Sequence, residues 1–223
     1  MCRFKSGIIL KDKVVIAPED NDSHSDLLES LGIEDSYIGA SKTFVRAELV
    51  PKKDSEWWID PSENPEKWMF VVDQDITPDW FDKETHEKEF RESVCDWWRT
   101  HVLVDKKLEE LRTGFYRLKR CEVKKLLNDV RVMLDSSQVG KIYGSSQVGK
   151  MYGSSQVGEM RGSSQVSEML DSSQVGEMWD SSQVGEMWDR STARDFKKWP
   201  KIKIWVSPEG TFEMVAHQNK SEE

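Results

Sequence analysis

The chain has 223 residues, 37% of them hydrophobic, and a net charge of −9. That is enough apolar material for a core, and the acidic balance opposes a general nucleic-acid surface, which needs basic groups to neutralise phosphate. No apolar run approaches the roughly 18–20 residues that cross a bilayer; three cysteines, Cys2, Cys95 and Cys121, and no charged-then-apolar leader argue against a disulfide framework and a secretory route, so the expected setting is a reduced cytoplasm without membrane.

Gly7-Ile8-Ile9-Leu10 and Val14-Val15-Ile16-Ala17 are β-prone runs around the polar Lys11-Asp12-Lys13, which predicts a hairpin over residues 3–17. Capping residues ending at Ser23 predict a short helix from His24 to Leu31, stopped by Gly32. Lys42 to Val50 alternates as a strand and Pro51 closes it. Lys52 to Lys67 carries Pro61 and Pro65 among charges and reads as an irregular loop, followed by a strand at Trp68–Val72. From Pro78-Asp79 onward Phe90, Val94, Trp97, Trp98 and His101 recur along one helical face, and a second helix is expected over Asp105–Arg112. Near the end, Lys201–Val206 and Thr211–Ala216 flank a turn-forming Ser207-Pro208-Glu209-Gly210.

Between these parts lie six copies of the nonapeptide Ser-Ser-Gln-Val-Gly-x-Met-x-x, beginning at Ser136, Ser145, Ser154, Ser163, Ser172 and Ser181. At about 3.6 residues per turn a step of nine would throw successive Val residues to opposite sides of a helix, and Ser and Gly oppose a helix in every copy. A β-solenoid remains, with Val and Met inward, two copies per coil of about 18 residues, and a bend at Gly to bring side chains three apart to one face. Following the Val-x-x-Met skeleton outward adds Phe115/Leu118, Val123/Leu126, Val130/Met133 and Ala193/Phe196 as degenerate capping units. The expected fold is thus an α+β head domain (1–112) followed by a β-solenoid, a parallel β-helix or β-roll (113–198), with a closing β-hairpin (199–217) and a disordered tail (218–223).

Met1-Cys2-Arg3-Phe4-Lys5-Ser6-Gly7, Phe44-Val45-Arg46-Ala47-Glu48-Leu49, Val72-Asp73-Gln74-Asp75 and Pro78-Asp79-Trp80-Phe81 resemble the amino-terminal region of a group of uncharacterised proteins seen in gut bacteria and their phages. The nonapeptide is similar to one repeated in proteins of gut bacteria. The resemblance implies a lineage, and with it a possible structural, phage-associated role, but no activity.

Two function classes follow. In the first, the chain is a non-enzymatic repeat protein whose rigid solenoid is an interaction or display surface for another protein or for a second copy. The eighth repeat positions, Tyr143, Tyr152, Arg161, Leu170, Trp179 and Trp188, are then its binding ladder. Sixth positions run from Lys141 and Lys150 to Glu159, Glu168, Glu177 and Glu186, so like charges are expected to stack. In the second class, removal of Met1 makes Cys2 the nucleophile of an arrangement that resembles amino-terminal-nucleophile hydrolases, with Asp20 and His24 as polar partners. His24, His86, His101 and His217 are scattered and no Cys-x-x-Cys occurs, so neither a metal nor a cofactor is expected. Asp73, Asp75 and Asp79 offer a cluster of acids for a cation or for acid–base work, against which acids at a strand end and a helix start more often serve as caps.

Overall fold

The computed structural model describes residues 4–19, 21–193, 196–197 and 205–206. The chain divides into two compact units, Met1–His101 and Val102–Glu223, described separately below.

The first unit is α+β. Strands β1 (Lys5–Leu10) and β2 (Lys13–Ile16) form the expected hairpin, and α1 (His24–Ser30) starts at Ser23, whose hydroxyl accepts the Asp26 N–H. A short α2 (Tyr37–Lys42), for which the sequence carries no periodic signal, leads into β3 (Phe44–Pro51); β4 (Trp68–Val72) and the long α3 (Lys83–His101) complete the unit. The sheet is antiparallel in the order β2-β1-β3-β4. Ile8, Leu27, Leu28, Ala40 and Phe44 pack α1 and α2 onto one face. On the other face Gly7 leaves room for Phe90 of α3, since a Cβ there would lie 2.7 Å from the Phe90 ring. Phe4 meets Trp68 and Trp97 edge-on at 4.8 and 6.0 Å. Both faces are covered, which is why β3 is buried along almost its whole length rather than on alternate residues. The helix begins later than Pro78-Asp79 suggests: Pro78–Phe81 is a turn, and Asp82 is the cap, accepting the Thr85 N–H at 2.9 Å.

The second unit is a parallel β-solenoid, as the repeat predicts, and it begins at Val102. Strand β5 (Val102–Val104) pairs in parallel with β6 (Lys107–Lys119), and β6 with β7 (Glu122–Asp135). The expected helix over Asp105–Arg112 is therefore wrong, and the division falls at Val102 rather than near Arg112. Leu108 and Leu111 are half-buried members of the inward series, and a spacing of three is common to a helical face and to this bent strand.

Beyond β7 the coils alternate between two columns of strands. One column stacks β7, β8 (Gln138–Ile142), β10 (Gln156–Met160) and β12 (Gln174–Trp179), then β14 (Thr192–Ala193) and β15 (Phe196–Lys197). The other stacks β7, β9 (Gln147–Tyr152), β11 (Gln165–Met169), β13 (Gln183–Met187) and β16 (Trp205–Val206). Trp205–Val206 is thus a parallel strand of the stack; the rest of the expected hairpin and the tail lie outside the described residues.

Every Val and Met of the array is buried, stacked on its counterpart in the next coil, and each contributes about 1.5–3 kcal/mol when fully buried. Pairing runs from Val157↔Val175 to Glu159↔Glu177 and skips the glycines between, so the bend that lets side chains three apart share one face lies at Gly. The coil changes length along the stack: Ser137 bonds to Cys121, 16 residues before it, and to Ser155, 18 after it. One of the two added residues enters the strand, where inward Val132 and Leu134 face Val148 and Met151 across a register shift. The other enters the corner, where Asp135-Ser136-Ser137 is replaced by Tyr152-Gly153-Ser154-Ser155. Met133 is accordingly not an inward partner of Val130: Val130, Val132 and Leu134 alternate inward as in an ordinary strand.

Candidate functional site

The ninth residue of each copy turns the corner in the left-handed region, at φ between 57° and 71° for Gly144, Gly153, Gly162, Asp171, Asp180 and Asp189. Glycine adopts this freely and Asp tolerates it. The later copies gain from Asp: Asp171, Asp180 and Asp189 accept the backbone N–H of Gly153, Gly162 and Asp171, one coil below, at 2.7–3.1 Å. The second Ser of each copy is fully buried just inside the corner. Corner and core together hold the outer positions in register, and any site on the array is built from them.

The eighth positions do not form one ladder. Because two copies make a coil, Tyr143, Arg161 and Trp179 belong to one column and Tyr152, Leu170 and Trp188 to the other, as the bonds from Arg161 N to Ile142 O and from Trp188 N to Met169 O show. The Arg161 guanidinium lies 5.3 Å from the centre of the Trp179 ring, within cation–π range. The Trp179 and Trp188 indoles donate to Glu177 and Glu186 two residues earlier, at 3.0 and 3.3 Å. Of the four aromatics at these positions Trp188 is the exposed one, at 40%, while burial pushes the Tyr152 hydroxyl above its ordinary pKa.

The charged positions are divided in the same way, which softens the expected stacking of like charges. Lys141 meets Glu159 at 2.7 Å and Lys150 meets Glu168 at 2.9 Å, and Arg161 also pairs with Glu159. Each column then has a single Glu–Glu step, Glu159↔Glu177 and Glu168↔Glu186. The hydrogen bond from Lys141, then that from Arg161, holds the Glu159 carboxyl below its ordinary pKa against the opposing effect of burial.

On the β8-β10-β12 column, Gln138, Gln156 and Gln174 stand beside Gly140, Gly158 and Gly176, and the missing side chains leave a groove of about 410 Å³ that runs across the coils. Glycine at the bend also permits a close approach between coils. A Cβ on Gly158 or Gly176 would lie 2.6 or 2.4 Å from the carbonyl oxygen of the glycine one coil below. This groove of glycine and glutamine was not singled out in the sequence, although both residue types are invariant or nearly so in the array.

In the first unit, Cys2 and Asp20 lie outside the described residues. His24 is buried at the start of α1, with Nε2 3.1 Å from the Ala47 carbonyl oxygen and Nδ1 3.3 Å from Asp73 Oδ2. Lys5, fully buried, reaches Glu19 O and Asp22 and lies over the Trp97 ring, so it ties Glu19 and Asp22 to the sheet end. Asp73 is set by its own N–H bond to Arg46 O and by Gln74, whose amide bonds to Ala40, Phe44, Arg46 and Ile76 backbone atoms. Among the described residues no helix is long and apolar enough to cross a membrane. Comparison of the chain with protein-family models, with curated proteins and with solved structures finds no match in any of the three.

Proposed function

We propose that the chain is a non-enzymatic repeat protein whose solenoid is a rigid interaction surface, and that the partner it fits best is a second copy of itself. The observation that carries this reading is a reversal of charge along the grooved column. By register its sixth positions run Lys125, Lys141, Glu159, Glu177. Two copies packed face to face about a two-fold axis that lies in the interface, perpendicular to the stacking direction, set Lys125 and Lys141 of one against Glu177 and Glu159 of the other, a self-complementary arrangement. The glycine groove lets the two faces approach, and the Gln amides, each donor and acceptor at once, can pair with their own kind. Trp179, next to Glu177, adds aromatic area on the same column.

Two further features support the setting. Cys95 and Cys121 are buried and unpaired, and burial raises both thiols, as suits an inert cysteine in a reducing cytoplasm. The resemblance to proteins of gut bacteria and their phages supports a spacer or display role, since near-identical coils can be added or lost without disturbing their neighbours.

Sedimentation velocity on the full chain tests the proposal. A concentration-dependent dimer is expected, weakened by salt. Glu177→Lys should weaken it about tenfold, and mixing that variant with Lys125→Glu should restore it. A chain that stays monomeric at every concentration while keeping its β-sheet circular dichroism would overturn the reading.

A further inference from the structure

We infer that His24, Glu48 and Asp73 hold a divalent transition-metal cation, with Nδ1 of His24 and the two carboxylates as ligands. The three residues come from the start of α1, from β3 and from the residue after β4, and one ligand atom of each lies within 4.8 Å of the others. This site is independent of the solenoid surface proposed above.

Four observations converge. First, a carbonyl oxygen only accepts, so Nε2 of His24 carries the proton it gives to Ala47 O. That is the bond by which metal-binding histidines are oriented, and it turns Nδ1 toward the cluster. Second, in the neutral ring the Nδ1 lone pair then faces Asp73 Oδ2 at 3.3 Å, an unfavourable approach that a cation between them reverses. Third, Glu48 is only 8% exposed and, among the described residues, its carboxylate has no hydrogen bond or ion pair. The nearby cations are engaged elsewhere, Arg46 with Asp35 and Lys5 with Asp22. A buried charge without a partner is strongly disfavoured. Fourth, Ser6 stands opposite Glu48 across the β1–β3 ladder, and its buried hydroxyl is likewise unpartnered. A buried unsatisfied hydroxyl beside a largely buried carboxylate on one sheet face marks a place where a ligand or its water is held.

The chemistry selects the class of ion. One imidazole and two carboxylates suit zinc, manganese or ferrous iron, whereas calcium and magnesium prefer oxygen alone. Ligands at about 2.0–2.2 Å from a tetrahedral ion lie roughly 3.5 Å apart. The His24–Asp73 pair already has that spacing, and the exposed Asp73 carboxylate is free to rotate toward the remainder. The open pocket beside His24 is lined by Asp22, Asp35, Arg46 and Asp73; Lys5 and Arg46 hold the first two acids, which leaves Asp73 at the mouth to meet a cation from solvent.

The test is calorimetric titration of the full, untagged, chelator-stripped chain with Zn²⁺ and Mn²⁺, with Co²⁺ added as a spectroscopic probe of the ligand set. Saturable binding of one ion per chain is expected, with visible Co²⁺ bands of nitrogen–oxygen ligation and a higher melting temperature. Glu48→Gln and Asp73→Asn should each lower affinity about tenfold or more. The metal-free Glu48→Gln chain should melt no lower than the metal-free parent, because the unpaired charge is gone. Asp73→Asn is a surface change that leaves the fold intact, so a loss of binding there cannot be put down to unfolding. No saturable binding, which would make His24 and Asp73 a plain ion pair, overturns the proposal; so does binding that both variants leave unchanged.

Discussion

The two units reach a buried interior by opposite routes. In the first, each contact occurs once: Phe90 fills the space over Gly7, Lys5 spans from Trp97 to Asp22, Gln74 ties three backbone segments together. In the nonapeptide array each interior residue stacks on the equivalent position of the next coil, mostly Val on Val and Met on Met. A unique contact has no substitute when lost, whereas in a stack the effect of a substitution depends on which copy lies directly beneath it.

The largest effect should come from a unique contact. Phe90→Ala is expected to remove about 3–5 kcal/mol, read by urea unfolding. Loss should be confined to the near-ultraviolet signal of the head's tryptophans while the solenoid's β-sheet signal persists; simultaneous loss of both would show that the units do not unfold separately.

A pair of glycine substitutions sharpens the comparison from the other side. Gly176→Ala brings a Cβ to 2.4 Å from Gly158 O and should destabilise by about 1–3 kcal/mol. Gly149→Ala has its nearest neighbour at 3.8 Å, above the narrower 16-residue coil, and should change the melting point hardly at all. Equal effects at two chemically identical positions would contradict the stacking described.

Next come the corner serines. The Ser137 hydroxyl accepts from Cys121 N and donates to Leu118 O, each at 3.0 Å, so Ser137→Ala should cost about 1–3 kcal/mol by leaving a buried N–H unsatisfied. Among the described residues the Ser173 hydroxyl has no partner, and Ser173→Ala should be neutral or slightly stabilising in thermal melts.

The smallest effect is electrostatic. Lys141 and then Arg161 hold the Glu159 carboxyl below its ordinary pKa, so folding gains stability that is complete above the ordinary carboxylate value of about 4.3 and is lost as pH falls through the lower folded value. Its partner Lys141 is raised by the same bond, so its share is present through neutral pH and lost as pH rises through the raised value. Glu159→Gln should flatten the acid limb of the stability–pH curve, read by thermal melts across the acid range.

Much of this was legible from local pattern. The hairpin, the helix capped by Ser23, the strand ending at Pro51, the long α3 and the inward Val and Met of the array each follow from spacing and capping within a short window. Where one spacing serves two structures, local pattern misleads. Leu108 and Leu111 sit three apart in a bent strand as they would on a helix, and Val130 and Met133 suggest the bend that the chain makes at Val123–Leu126 but not here, where Val130, Val132 and Leu134 alternate inward.

Repetition by itself determined that a stack must form, what fills it and that two copies close a coil, because those depend only on period and polarity. It did not determine that the eighth positions divide into two columns, that the coil grows from 16 to 18 residues, or that a glycine groove opens between ladders. Nor does any spacing connect His24, Glu48 and Asp73. Their meeting depends on which strand lies beside which, and only the pairing of β3 with β1 and β4 brings residues so distant in the chain to within reach of one ion.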